Sequence, residues 1–267
     1  MMTCSISPGI GTIRILPECR GLSIRLLRPL WIVPAVVILL IATAVLDIGV
    51  PIYYQQKAIR EIERLGGTVF MEPRGPQWLR ETVGEERMHV VDTVTVVILS
   101  ETQACDATLG HMQKLTWLRG LHLARTDVTD AGMSAFHNST NLVGCVLDRT
   151  QVTDAGLESL KCMNRMEHLS LAETQITGCG LAYLRRMTHL QRLNLEETAI
   201  TDAGLGHLKS LRRLTSLSLS NTQVTDTGMT HLTVLTNLKR LYLTGTKVTD
   251  SGIAELQRAL PRLAIER

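Results

Sequence analysis

The side chains in this chain that could hold a metal or attack a substrate are its eight histidines and six cysteines. No two histidines stand in the His-Glu-x-x-His spacing that sets two imidazoles and a carboxylate on one helix face. His207 and His231 are 24 residues apart, and Glu255 follows after another 24. Stacked in a column, the three could enclose a zinc-sized ion. Nothing nearby is placed to orient the imidazoles, however, and an exposed polar column accounts for the pattern equally well. No serine lies in a Gly-x-Ser-x-Gly elbow, and the 20 glycines form no phosphate-binding loop. The expectation is a non-enzymatic chain with no cofactor.

What these residues share is phase. The stretch Leu118 to Asp130, LRGLHLARTDVTD, is written again every 24 residues. Thr126 recurs as Thr150, Thr174, Thr198, Thr222 and Thr246, with Thr102 one unit earlier. Thr129, Asp130 and Gly132 recur as Thr153, Asp154 and Gly156, and so on to Thr249, Asp250 and Gly252. Leu121-His122-Leu123 alternates as a half-buried strand does, with the leucines inward and His122 outward. Asp130 is placed to cap a short helix that buries Met133 and Phe136. One unit buries almost nothing alone; stacking units about 4.8 Å apart pairs each strand with the next and encloses a leucine core.

A fixed period in the twenties with this leucine spacing resembles a leucine-rich-repeat solenoid. The expected fold is therefore α/β, a right-handed superhelix with a parallel concave sheet, over residues 91 to 265. About seven repeats and a closing strand through Leu263 or Ile265 fill that range. The threonine column is expected to be buried, with each hydroxyl bonding the backbone of the neighbouring coil, because the turn there has left the sheet's hydrogen-bond ladder. The first unit is degenerate, with Val94, Val97 and Leu99 in leucine slots and Cys105-Asp106 for Thr-Asp. Cys145 takes an inward position, and Thr177-Gly178 lacks the aspartate, so that Thr177 caps instead.

Stacking also separates the cysteines. Cys105 and Cys179 fall three coils apart, about 14 Å by strand spacing and beyond disulfide reach. Cys145 and Cys162 fall on opposite sides of one unit. Free thiols are expected. His122 and His168, two coils apart, cannot share an ion.

Residues 1 to 29 carry Arg14, Arg20, Arg25 and Arg28 against the single acid Glu18 and read as a basic cytoplasmic tail. Residues 30 to 52 are apolar apart from Asp47, with Trp31 at one end and Tyr53 and Tyr54 at the other. Roughly 20 apolar residues suffice to cross a bilayer, and aromatic belts mark its interfaces. The expectation is a transmembrane helix, with two alternatives: a cleaved signal peptide, because Ala42-Thr43-Ala44 has the form of a cleavage site, and a buried helix. The arginine excess places the tail in the cytoplasm and the repeats outside it, in the periplasm. Residues 55 to 90 are expected to cap the solenoid: an amphipathic helix over 55 to 65, Gly66-Gly67 to end it, a short strand at Thr68, and a helical turn from Gln77. Val69, Phe70, Trp78 and Leu79 are the candidates to cover the first coil.

The outward strand positions form columns. One runs Gly120, Gly144, His168, Arg192, Ser216, Arg240; the next runs His122, Val146, Ser170, Asn194, Ser218, Tyr242. At the strand ends Arg125 and Arg149 are followed by Glu173 and Glu197, with Asp148 and Glu196 beside them. Tyr242 is the aromatic in these two columns, and Tyr and Arg concentrate interface energy. The candidate partner-binding residues are therefore His122, Arg125, Asp148, Arg149, His168, Glu173, Arg192, Glu196, Arg240 and Tyr242. A formal charge of +3 and two Phe with three Trp argue against nucleic acid; the partner class is protein or glycan.

The layout as a whole resembles the single-pass, membrane-anchored leucine-rich-repeat proteins of planctomycete-type bacteria. It is carried by Arg60-Glu-Ile62-Glu-Arg-Leu65-Gly-Gly67, by Pro76-Gln-Trp78-Leu79, and by the Thr-Asp-x-Gly-Leu units. The same repeat type is similar to that of F-box substrate receptors, although a membrane span stands where an F-box would. The resemblance implies the fold and an anchored recognition scaffold using its concave face; a structural or self-associating envelope spacer is the alternative.

Overall fold

A computed structural model describes residues 29–44, 49–89 and 91–267, and the chain divides into two units, Met1–Val45 and Leu46–Arg267. The first unit holds helix α1 (Pro29–Ala44), uncharged throughout. Among the described residues no helix is long and apolar enough to cross a membrane. Of the expected span of 30 to 52, residues 30–44 lie in α1 and 50–52 open α2 (Val50–Arg64), while 45–48 lie outside the described residues. Pro51 sits in the first turn of α2, where a missing N–H forfeits no helical bond. The arginines of the tail and Asp47 lie outside the described residues.

Among the described residues of the second unit, nine strands form one sheet in sequence order. They are β1 (Thr68–Glu72), β2 (Thr93–Ile98), β3 (Gly120–His122), β4 (Gly144–Val146), β5 (His168–Ser170), β6 (Arg192–Asn194), β7 (Ser216–Ser218), β8 (Arg240–Tyr242) and β9 (Ala264–Glu266). All neighbours from β2 onward are parallel, and residues exactly one period apart, such as Leu193 and Leu217, face each other across the ladder. Leu118, Leu121 and Leu123 and their equivalents are buried in one continuous core, with Cys145 in the same layer as a fully buried residue. The closing strand forms as expected: Ile265 pairs with Leu241, and Leu263 is buried.

The threonine column is buried or partly buried but bonds differently from the expectation. Thr126 Oγ1 donates to the Leu123 carbonyl of its own coil at 2.7 Å, and Thr102, Thr150, Thr174, Thr198, Thr222 and Thr246 do the same three residues back. The neighbouring coil is already served, because the ladder has not ended there. Leu123 N–H donates to the Val146 carbonyl and Arg125 N–H to that of Asp148. The hydroxyl takes the carbonyl that the parallel ladder leaves over.

The aspartate column is also corrected. Thr129, not Asp130, caps its helix: its hydroxyl accepts the Ala131 N–H. The Asp130 carboxylate reaches instead to the next coil, accepting the Thr153 N–H at 2.8 Å and its hydroxyl at 2.6 Å. Asp106, Asp154, Asp202 and Asp226 make the same pair of bonds to Thr129, Thr177, Thr225 and Thr249. The repeat's glycine belongs to this device: a Cβ on Gly156 would collide with Oδ1 of Asp130. Thr-Asp-x-Gly is thus one strut, in which threonine receives, aspartate gives to the following coil, and glycine makes room for it. At Gly178 the strut is absent, Thr201 has no side-chain cap bond, and Gly178 packs against Gly204. Thr177 nevertheless accepts the Cys179 N–H, as expected of it.

These bonds carry a prediction. Asp130→Ala removes both acceptors and leaves the Thr153 N–H unpaired, which should destabilise the chain by about 1–3 kcal/mol. Asp127→Ala, at an exposed position, should stay within about 0.5 kcal/mol. Urea denaturation of the two variants compares them, and equal effects would remove the strut from the account.

The cap uses the expected amphipathic helix and Val69, which packs against the core, but not Trp78 and Phe70. Trp78 and Phe70 are 65% and 54% exposed, whereas Ala58, Ile59 and Ile62 of α2 form the buried stripe. That stripe packs over the first coil's helix, Asp106–Met112. β1 covers the sheet edge by pairing antiparallel with β2. Gly66 turns the chain with φ +80, and at Gly67 a Cβ would run into Leu99, Ile62 and the Ile98 carbonyl. The cap is pinned by a buried ion pair. Arg80, in α3 (Gln77–Val83), gives Asp92 bonds of 2.6 and 3.2 Å. The Arg74 N–H adds a third at 3.1 Å, and His89 lies 3.0 Å from the same carboxylate. The Arg80 guanidinium, opposed by burial and helped by the Arg74 N–H, holds the Asp92 carboxyl below the usual carboxylate range.

Candidate functional site

The strand register sets the outward columns as the repeat phase requires: Gly120, Gly144, His168, Arg192, Ser216 and Arg240 are paired in succession, and so are His122, Val146, Ser170, Asn194, Ser218 and Tyr242. Because each strand offers two outward positions around one inward leucine, these side chains are free of the core and stand in rows about 4.8 Å apart. From β4 to β8 the face is hollowed into a concavity of about 530 Å³.

Four of the expected residues come together there. His168, Arg192, Glu196 and Tyr242 line the hollow, joined by Ser170, Asn194, Ser216 and Ser218. Arg240 is exposed on β8 beside them. His122 sits half-buried on β3, outside the hollow. Sequence reasoning passed over Asn194, whose Oδ1 accepts the Glu196 N–H at 3.1 Å and so shapes the rim. His168 Nδ1 is enclosed without a hydrogen-bond partner, a polar atom held at the face of the hollow.

Arg125, Asp148, Arg149 and Glu173 form a separate strip at the strand ends, and most of it is already engaged. Arg125 pairs with Glu101 at 2.7 Å and Arg149 with Glu173 at 2.6 Å. Glu173 holds the Arg149 guanidinium above its ordinary range. Asp148 accepts the Ala172 N–H. Both ion pairs are solvent-exposed and add little stability. Their consequence is rather that these charges face each other and not outward.

The same strip has a backbone feature that the sequence pattern hid. Glu101, Arg125, Arg149, Glu173, Glu197 and Asn221 all have φ between 53 and 63°, and Gly245 completes the column at 70°. This left-handed conformation turns the chain out of the strand while its N–H still reaches the next coil. It is strained for residues with a Cβ. A Cβ at Gly245 would also collide with Asn221 Oδ1, so Gly245→Ala should lower stability by about 1–2 kcal/mol. Glu197→Gly should lose nothing or gain up to about 1 kcal/mol. Thermal unfolding of the two variants checks the sign of each.

The remaining chemistry-bearing side chains are dispersed. The His207 ring contacts the Arg185 guanidinium at 2.6 Å, and burial together with Arg185 lowers its pKa. Among the described residues no group of three histidines, cysteines or carboxylates is gathered as a metal ion requires. Cys105, Cys145, Cys162 and Cys179 are free thiols. Burial, with Asp148 adding to it, pushes the Cys145 thiol up to about 12, so it stays protonated in the core.

The sequence matches the family described as Leucine Rich repeat over residues 114–136, 186–209, 210–233 and 234–256. No curated protein matches it. Among solved structures the chain is similar to an internalin from Listeria monocytogenes at 21% identity, covering 70% of this chain and 60% of that one with a TM-score of 0.49. It is also similar to an internalin C2 from the same organism at 22% identity, covering 66% and 86% with a TM-score of 0.50. The chain thus spans 60% of the first internalin's length, and likeness at this level of identity concerns the fold. The family match and the parallel sheet together give residues 114–136 and 186–256 the leucine-rich-repeat pattern on a solenoid fold.

Proposed function

We propose that this protein is a non-catalytic leucine-rich-repeat recognition scaffold, anchored to the cell membrane by its N-terminal segment and binding a protein through the hollow face of its sheet. One observation carries the reading. The hollow between β4 and β8 is lined by His168, Arg192, Glu196, Tyr242 and four serine and asparagine residues, together with Val146 and the strand segments at Cys145, Leu169 and Leu193. Polar side chains standing in fixed rows on a rigid sheet are pre-organised for a partner, and repeat proteins use such surfaces for binding.

The anchoring rests on the uncharged run of α1, on the arginine excess ahead of it, and on Tyr53 and Tyr54. These two rings are exposed and meet edge to face at 5.6 Å. With this topology the N-terminus is cytoplasmic and the repeats are extracytoplasmic. A protease added to intact spheroplasts should digest residues 55 onward; protection of the repeats would refute the topology. For recognition, Tyr242→Ala and Arg192→Glu should abolish partner capture in a folded protein, while the exposed Lys209→Glu should not. Loss only with Lys209→Glu would place binding on the other side.

A further inference from the structure

Basic side chains near the sheet's outward face fall into two groups. Ahead of and after β3 to β5 they are committed within the molecule: Arg119 to Glu72 at 2.9 Å, Arg125 to Glu101, Arg149 to Glu173, and Arg165 to Asn141 at 3.0 Å. From β6 onward, Arg192, Arg213, Lys239, Arg240 and Arg262 are all exposed, and none is joined to an acid or a side-chain acceptor among the described residues. In the first half of the face three arginines are neutralised by carboxylates and Arg165 is held by an amide oxygen. The second half keeps five uncommitted cations along the side where the strands begin.

Two of them are in register. Arg192 pairs with Ser216 and Ser216 with Arg240, so the arginines project from one column two strands apart, about 10 Å. Residues i and i+3 of a peptide extended as a polyproline II helix are about 9 Å apart at 3.1 Å per residue, and with three residues per turn they lie on one face. The serine between the arginines leaves the path open, and Tyr242 stands in the neighbouring column, with Glu266 of β9 after it. Across the hollow the sign reverses: Glu196 lines it and Glu197 is exposed beside it. A uniform polyanion laid over the hollow meets these carboxylates as well as the arginines. A polypeptide can place acids on one side and neutral or basic groups on the other.

We infer that the β6–β8 part of the hollow binds an extended acidic segment of a protein, crossing the strands with two carboxylates three residues apart on Arg192 and Arg240. The inference rests on the recognition reading above and specifies the partner's chemistry. Arginine suits this task because its planar fork grips a carboxylate through two parallel hydrogen bonds. Arg213, Lys239 and Arg262 supply the long-range attraction that raises the encounter rate, so binding should weaken with salt.

The test pans a phage-displayed random peptide library on the full chain in detergent micelles. It is run in parallel on the Arg192→Glu/Arg240→Glu and Lys209→Glu variants. A photo-reactive residue in place of Ser218 reports whether a bound peptide occupies the hollow. The expected result is enrichment of peptides with two acids three residues apart that crosslink from position 218. These should lose at least tenfold in affinity on the double variant and be unchanged on Lys209→Glu. Peptides that crosslink from position 218 without acidic enrichment, or that tolerate the double variant, would overturn this inference and leave recognition by the hollow standing. Tighter binding of a heparin oligosaccharide or of single-stranded DNA through the same arginines would overturn it in favour of a polyanion. Enrichment of peptides that crosslink nowhere in the hollow, or no enrichment at all, would count against both readings.

Discussion

Asp92→Ala should destabilise the chain by about 3–5 kcal/mol, because it removes one partner of a buried ion pair together with the acceptor of the Arg74 N–H. Both side chains are almost fully enclosed, at 8% and 3% exposure. The carboxylate also accepts the Arg74 N–H and so ties the loop after β1 to the first coil. The same pair gives the cap a pH dependence. The folded Asp92 carboxyl lies below the usual range, so its contribution is fully present above an unfolded-state pKa of about 3.9. It is lost as the pH falls through the depressed folded value. Acid unfolding followed by circular dichroism should begin at higher pH in Asp92→Ala than in an otherwise identical chain carrying Glu81→Ala, an exposed carboxylate of α3. Coincident acid transitions would show that the pair does not hold the cap.

The second large effect lies in the middle of the solenoid, where damage cannot fray from an end. Leu195 is fully buried, and Leu195→Ala should cost about 2–5 kcal/mol as a large-to-small change in a packed core. Thr198→Val keeps the shape but removes the 2.6 Å bond to the Leu195 carbonyl, at about 1–3 kcal/mol. Glu196→Ala, on the outward side of the same coil, should stay within about 0.5 kcal/mol. Chemical denaturation ranks the three. If Glu196→Ala proved the most damaging, the inward and outward phases of the strand would be exchanged.

The strand phase, the core leucines and the outward columns were legible in the sequence because a 24-residue period and a 2-residue alternation leave no freedom once combined. The side-chain bonds were less so. Thr126 and Asp130 stood out as columns, yet a column does not say whether its polar group bonds within its coil or to the next. The in-phase glycine was the available clue, since Gly156 is needed only if something from the preceding coil occupies the space of its Cβ. The left-handed strip was masked by Glu101, Arg125, Arg149, Glu173 and Glu197, residue types with no turn preference. Asn221 and Gly245 in the same column were the only hint. Arg80 and Asp92 are 12 residues apart on different elements, and no local pattern joins them. In the cap, hydrophobicity drew attention to Trp78 and Phe70, while the smaller stripe of Ala58, Ile59 and Ile62 fits the first coil.

The candidate site was half legible. The period placed His168, Arg192, Arg240 and Tyr242 on one face, and the structure gathers His168, Arg192 and Tyr242 with Glu196 in one hollow. It could not show that Arg125 and Arg149 are engaged by Glu101 and Glu173, because exposed side chains of either sign have many places to go. That difference in commitment, and not charge itself, separates the two halves of the face.

The central claim is that the hollow strand face is where a partner docks, and site-specific photo-crosslinking in the native host tests it most directly. A photo-reactive residue is placed either at Ser218, in the hollow, or at the exposed Lys209 on the opposite side. The account predicts a discrete adduct from position 218 that disappears when Arg192→Glu is added, and none from position 209. An adduct from position 209 alone would contradict it.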